Sequence, residues 1–247
     1  MNIAVLNLSG NVGKSTLALQ LIAPNLENAK VISVESVNTS AANDIDSVQV
    51  EEMAASAFKD IYLEMMSGKN QIVLDVGVSN VVGFMSELAR FKSFTQEVDL
   101  IIVPVVPVKK QMDDTIKTLE WLASRGFSGK KIRVIFNNYR NDGESLESQF
   151  AQILGYLHSE PSKAVFEPYI VIDENEIFTT TKRNRKTIAE IAADNTDWRS
   201  VRIEAAKNGD MSGVESAMQN QIDKDLADLA NEQLKAAWST IMGGKKK

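Results

Sequence analysis

Leu6-Asn7-Leu8-Ser9-Gly10-Asn11-Val12-Gly13-Lys14-Ser15-Thr16 follows directly on the apolar opening Ile3-Ala4-Val5-Leu6. It reads as a strand running into a phosphate-binding loop and then a helix. The residue types suit a nucleoside triphosphate in this order. Gly10 and Gly13 let the backbone of Asn11 and Val12 curl its amides round phosphate oxygens, and Lys14 supplies a charge for the β/γ-phosphates. Ser15 offers a hydroxyl to Mg²⁺, and the helix that opens at Ser15 and Thr16 adds the partial positive charge of its N-terminus. Gly10, Asn11, Val12, Gly13, Lys14, Ser15 and Thr16 are therefore the candidate nucleotide-binding residues, with Lys14 a candidate catalytic residue as well. The usual pattern has its first glycine five residues before the second, where this chain has Leu8, so the match to that form is incomplete.

The chain has 247 residues, 44% of them hydrophobic, which is enough to bury a full core and ordinary for one large α/β domain. It has no cysteine, so neither a disulfide framework nor a thiolate metal site can form, and its single histidine, His158, excludes histidine-rich metal sites. His158 directly follows the helical-looking run Phe150 to Leu157 and reads as a surface or packing residue. The start on a core strand, with no basic and apolar leader and no apolar run near the ~18 residues of a spanning helix, leads us to expect a cytoplasmic protein. A net charge of −6 argues against broad DNA affinity carried by the whole surface. Local basic patches remain at Lys182-Arg183-Asn184-Arg185-Lys186 and Lys245-Lys246-Lys247.

Short apolar runs alternate with longer segments of helical period, the pattern of a parallel sheet wrapped by helices. Strands are expected at Asn2 to Asn7, Lys30 to Val34, Gln71 to Asp75, Asp99 to Val103, Arg133 to Asn137 and Val165 to Ile172. Helices are expected at Lys14 to Ile22, Glu51 to Met66, Val81 to Phe91, Lys109 to Ser124 and Leu146 to Leu157. After about residue 195 the composition shifts: Val214, Met218, Ile222, Leu226, Leu229, Gln233, Ala237 and Ile241 recur at helical spacing. The fold class expected is thus a single-domain open, mostly parallel twisted α/β sheet flanked by helices, the P-loop NTPase arrangement, over residues 1–195. Residues 196–247 form a helical C-terminal extension packed on the domain or on a partner. The acids Glu215, Asp223, Asp225, Asp228 and Glu232 make that helix a poor surface for anionic lipid. A membrane contact is left as a lesser alternative for its end, Trp238 to Met242.

Open α/β sheets place their ligands outside the carboxyl ends of the strands. Asp75 follows Ile72-Val73-Leu74 at such an end, where a carboxylate can hold the water shell of Mg²⁺ while Gly77 lets a loop approach the γ-phosphate. Asp75 is therefore, with Lys14, a candidate catalytic residue, and with Ser15 a candidate metal residue; helix capping is its alternative. Asn137-Asn138 close the fifth strand, and the lack of an Asn-Lys-x-Asp guanine reader there, where the chain has Asn137-Asn138-Tyr139-Arg140, favours ATP.

Ser9-Gly10-Asn11-Val12-Gly13-Lys14-Ser15 resembles, at five of seven positions, the deviant loop Lys-Gly-Gly-Val-Gly-Lys-Ser/Thr of the ParA/MinD ATPases. Leu74-Asp75-Val76-Gly77 resembles that family's second acidic motif, and Asp99 to Pro107 its next buried strand. The resemblance, over residues 1 to 195, implies ATP and Mg²⁺ as cofactors, a nucleotide-dependent homodimer, and a partner protein or DNA as cargo. It implies an adenine contact at Asn137, for which a plain turn is the alternative. Two departures matter. Ser9 stands where the family's loop has a lysine that reaches the partner's phosphates, and Val34-Glu35-Ser36-Val37-Asn38 stands where the family has Asp-x-Asp. Glu35 can replace the first acid, but Val37 cannot replace the second, which orients the attacking water; Asp44 or Asp46 could move in. Slow, partner-stimulated ATP hydrolysis is expected. The trimmed loop is also similar to plasmid stabilisation proteins of the StbB type. The alternatives are an ATP-dependent small-molecule ligase or kinase of the dethiobiotin-synthetase class, or a nucleotide-bound scaffold that does not hydrolyse.

Overall fold

The computed structural model describes residues 1–34, 45–91 and 93–243, apart from the side chains of Lys182 and Arg183. Glu35, Ser36, Val37, Asn38 and Asp44 lie outside the described residues, as do Lys245, Lys246 and Lys247.

Seven parallel strands form one sheet: β1 (Asn2–Val5), β2 (Ala29–Val34), β3 (Gln49–Met53), β4 (Gln71–Val76), β5 (Leu100–Val105), β6 (Ile132–Tyr139) and β7 (Val165–Asp173), in the order β3-β2-β4-β1-β5-β6-β7. All pairings are parallel, and the central strands are buried along their length, as a sheet covered on both faces requires. Alternate residues of β1 serve opposite layers. Ala4 faces the layer built with α2 (Phe58–Ser67), α3 (Val78–Leu88), α5 (Lys109–Ser124) and α7 (Ala151–Ser159); Ile3 and Val5 face the layer that holds Leu17, Leu21 and Ile22. That second layer is completed by α11 (Met211–Ile241), whose Ala227, Ala230, Leu234, Ala237 and Ile241 are buried.

The helix expected from Lys14 is regular as α1 (Lys14–Leu17) and continues as a π-helical turn over Ala18–Ile22. Lys109 to Ser124 is one helix over the bounds expected. Leu146 to Leu157 breaks at Phe150 into α6 (Leu146–Gln149) and α7, and the remaining short helices are α4 (Phe94–Glu97), α8 (Ile177–Asn184), α9 (Ile188–Ala192) and α10 (Trp198–Lys207).

Two further expectations differ from the structure. The sequence predicts helix from Glu51 to Met66, but Gln49–Met53 is the edge strand β3, paired from Lys30↔Gln49 to Val34↔Met53, and the helix waits until Phe58. Lys30 draws Glu51 to 2.6 Å and Glu64 to 3.1 Å, so one cation ties the strand and the helix that follows it. In α11 the residues expected to form one apolar face divide. Ala237 and Ile241 are buried, whereas Met218, Ile222 and Leu229 are exposed, because the helix lies on the core through its alanines, which permit close approach.

Candidate functional site

The loop after β1 occupies the point where strand order reverses: β2, β3 and β4 lie to one side of β1, and β5, β6 and β7 to the other. In open α/β sheets that point is where a crevice forms. A cavity of about 410 Å³ opens there, lined by Gly10, Asn11, Gly13, Lys14, Ser15 and Thr16 from the loop and the start of α1, by Gly77 and Val78 after β4, by Asn137 and Asn138 near the end of β6, and by Phe178 and Thr179 in the helix after β7. Its size is within the range of sites that hold a small ligand.

Asn11 has φ 55° and Gly13 has φ 92°, so two left-handed residues two apart turn the backbone round on itself. At Gly13 a side chain is also excluded by space, since a Cβ would collide with the Asn137 amide. A turn of this kind can aim successive N–H groups into one concavity, an anion-binding arrangement.

Side-chain amides brace this loop from outside. Asn7 is fully buried; its Nδ2 donates to the Pro104 carbonyl at 2.8 Å and to Thr115 Oγ1 at 2.7 Å, while its Oδ1 accepts from the Ser9 amide at 2.7 Å. The Leu8 amide donates to Thr118 Oγ1 at 3.0 Å, and Gln111 Nε2 donates to the Gly10 carbonyl at 3.4 Å. From the other side Asn137 Nδ2 donates to the Val12 carbonyl at 3.0 Å. Sequence reading assigns roles to none of Asn7, Gln111, Thr115 and Thr118, because they meet only when α5 packs beside β1.

Lys14 is buried, and its Nζ donates to the Ser9 carbonyl at 2.6 Å. Ser15 is exposed and Thr16 half-buried in the first turn of α1, both on the cavity wall. Val12 is fully buried, so toward the cavity it has only backbone to offer. Asp75 pairs with Val5 of β1 and Ser33 of β2, and is 3% exposed. Val73, two residues earlier, belongs to the layer of Leu17, so Asp75 points to the same side of the sheet as α1 and sits behind the cavity wall. Phe178 and Thr179 carry no motif; their signal is position, since they open α8 just after β7 as Gly77 and Val78 lead into α3 just after β4.

Other candidates lie elsewhere. His158 is exposed on α7, edge-on to Phe166 at 5.1 Å. Asp46 is held by Arg185, whose Nε and Nη2 donate to it at 3.0 and 2.6 Å, and the guanidinium keeps its carboxyl below the usual value.

No protein-family model and no curated protein sequence matches the chain. Among solved structures, the MinD cell division protein of Aquifex aeolicus superposes with a TM-score of 0.58 at 14% identity, covering 100% of this chain and 98% of that one. The chain shares its fold with this MinD protein. A single-residue variant of Cyanothece McdA in complex with ATP gives 0.53 at 14% identity over 100% and 97% of the two chains. The septum site-determining protein MinD of Pyrococcus horikoshii, complexed with Mg-ADP, gives 0.52 at 13% identity over 94% and 98%. The match to the Aquifex protein takes in the whole of this chain, the seven-stranded sheet and the C-terminal helix alike.

Proposed function

We propose that this chain is a nucleotide-driven switch of the ParA/MinD kind. The observation that carries the proposal is the loop: Lys14 closes a turn with left-handed residues at Asn11 and Gly13, at the switch point of a MinD-type sheet. The residues fit a nucleoside triphosphate. Backbone amides of Gly10 to Gly13, the Lys14 ammonium and the N-terminus of α1 would hold its phosphates, and Ser15 with Asp75, acting through water, would hold Mg²⁺. Asn137 and Asn138 border the same cavity, and Asn137, whose amide holds the Val12 carbonyl, would act on the nucleotide through the loop it braces. The bound metal and triphosphate would supply charge neutralisation and a labile phosphoryl group.

In this reading ATP favours a homodimeric or partner-bound state and hydrolysis releases it, so that DNA or another large cargo is positioned or segregated. Plasmid partition or stability, in the manner of the StbB type, is the form we favour. The names of the MinD proteins that share the fold, a cell division protein and a septum site-determining protein, support a positioning role. A second reading, a nucleotide-bound scaffold, is favoured by Ser9, a buried hydroxyl residue where the resembling loops carry a lysine.

Steady-state phosphate release from the purified chain, with and without DNA and candidate partner proteins, tests the proposal. Turnover well below the ~1–100 s⁻¹ typical of kinases, raised by a macromolecule, is the expected result. No turnover under any condition supports the scaffold. Fast transfer to a small-molecule acceptor supports the ligase or kinase alternative.

A further inference from the structure

Met211, Met218, Ile222 and Leu229 lie on one face of α11, spaced seven, four and seven residues apart, with 66%, 46%, 50% and 64% of their surface exposed. Single exposed apolar residues need no explanation, but four large ones aligned over about 27 Å of one helix make a continuous stripe. It faces away from the buried side of α11, where Ala227, Ala230, Leu234 and Ala237 meet the core. It also faces away from α10, whose Ala205 meets Gly213.

The charges along this stripe have one sign. Asp225 lies on it between Ile222 and Leu229, and Glu215 and Glu232 fall within about 60° of its centre at 100° per residue. The two lysines of the helix, Lys224 and Lys235, fall roughly 120–140° away. The Lys224 ammonium is engaged by the Ala192 carbonyl at 2.7 Å and by Asp228 at 3.0 Å. Two such faces from two copies would bring like charges together, and an anionic lipid surface would be repelled in the same way.

We infer that the outer face of α11 is a docking surface for an amphipathic helix of a partner protein, one that sets an apolar stripe against Met211, Met218, Ile222 and Leu229 and places Lys or Arg opposite Asp225. Helices recognise one another in this mode through anchors at i, i+4 and i+7, with flanking charges choosing the partner. The inference does not depend on the nucleotide reading, since the face lies on α11 and the phosphate loop precedes α1.

The test is a fluorescence-anisotropy titration of the full chain, without nucleotide. The probe is a synthetic helix of about 20 residues carrying a leucine stripe flanked by lysines, compared with the same helix flanked by glutamates. Saturable binding of the lysine helix, at least about tenfold tighter than that of the glutamate helix and weakened by salt, is expected. Ile222→Ser with Leu229→Ser should lower that affinity at least about tenfold, and Asp225→Lys should transfer the preference to the glutamate helix. Both variants alter exposed side chains, and circular dichroism checks that they remain folded. Lack of saturable binding, or equal binding of both helices, would overturn the inference. So would a concentration-dependent dimer in sedimentation that the double variant abolishes, since the occupant would then be a second copy. Co-sedimentation with phosphatidylcholine–phosphatidylglycerol vesicles, lost in the double variant, would replace the partner helix with a membrane.

Discussion

Asn137 Nδ2 donates to the Val12 carbonyl at 3.0 Å, joining the end of β6 to the phosphate loop across 125 residues of chain. The same amide occupies the space that a Cβ on Gly13 would need. The side chain that sequence reading assigns to an adenine contact therefore also braces the loop. Asn137→Ala should weaken an ATP analogue and a GTP analogue by the same factor, from roughly two- to tenfold, the range for one hydrogen bond of about 0.5–1.5 kcal/mol. Parallel titrations of the two analogues check it: a loss confined to the adenine nucleotide would give the side chain to the base and not to the loop.

Lys14→Ala should remove triphosphate binding and leave the fold intact. The ammonium is buried at the mouth of the helix and donates within its own loop, to Ser9, so its removal opens no apolar void in either core layer. Loss of a charge-assisted contact to phosphate costs on the order of 1.5–3 kcal/mol or more. Unchanged affinity for a fluorescent ATP analogue, in a variant with a wild-type melting curve, would reject the phosphate-loop assignment.

Asp75→Asn should keep nucleotide affinity within a modest factor and suppress Mg²⁺-dependent turnover, because the carboxylate sits behind the cavity wall and would act through the metal's water shell. Phosphate release at saturating Mg²⁺, with any activating partner present, is the measurement. Wild-type turnover would leave Asp75 with a structural role at the end of β4.

Lys30 bridges Glu51 of β3 and Glu64 of α2, and its hydrogen bond to Glu51, aided by Glu64, raises its pKa against the opposing effect of burial. Glu64 is correspondingly lowered, chiefly by its hydrogen bond from Lys30. The raised lysine contributes stability that is complete below its unfolded pKa and lost as pH rises through the folded one. The lowered carboxyl contributes stability that is complete above its unfolded pKa and lost as pH falls through the folded one. The cluster therefore acts in full between about pH 5 and 10. Lys30→Ala should cost about 1 kcal/mol at neutral pH, and the difference in urea midpoint should narrow in acid. An equal deficit at every pH would assign Lys30 to packing through its aliphatic stem.

What the chain states locally, it states in sequence. The buried runs of the central strands β1, β4 and β5 are near-continuous because a parallel sheet covered on both faces buries both sides of its inner strands, and the helix Lys109–Ser124 carries an apolar period that its neighbours do not contest. The loop from Gly10 to Ser15 is legible for the same reason: glycine, lysine and hydroxyl residues at close spacing carry their chemistry within one turn. Tertiary structure decided what depends on partners far along the chain. Gln49–Met53 is a strand because β2 lies beside it, against the helical period that begins at Glu51. The loop's braces, Asn7 with Thr115 and Asn137 with Val12, pair residues 108 and 125 apart. On α11, periodicity found the apolar stripe of Met218, Ile222 and Leu229, yet the alanine face went to the core. A hydrophobic period records which residues share a face. Which face is buried depends on how closely the helix can approach, and that is a property of the surface it meets.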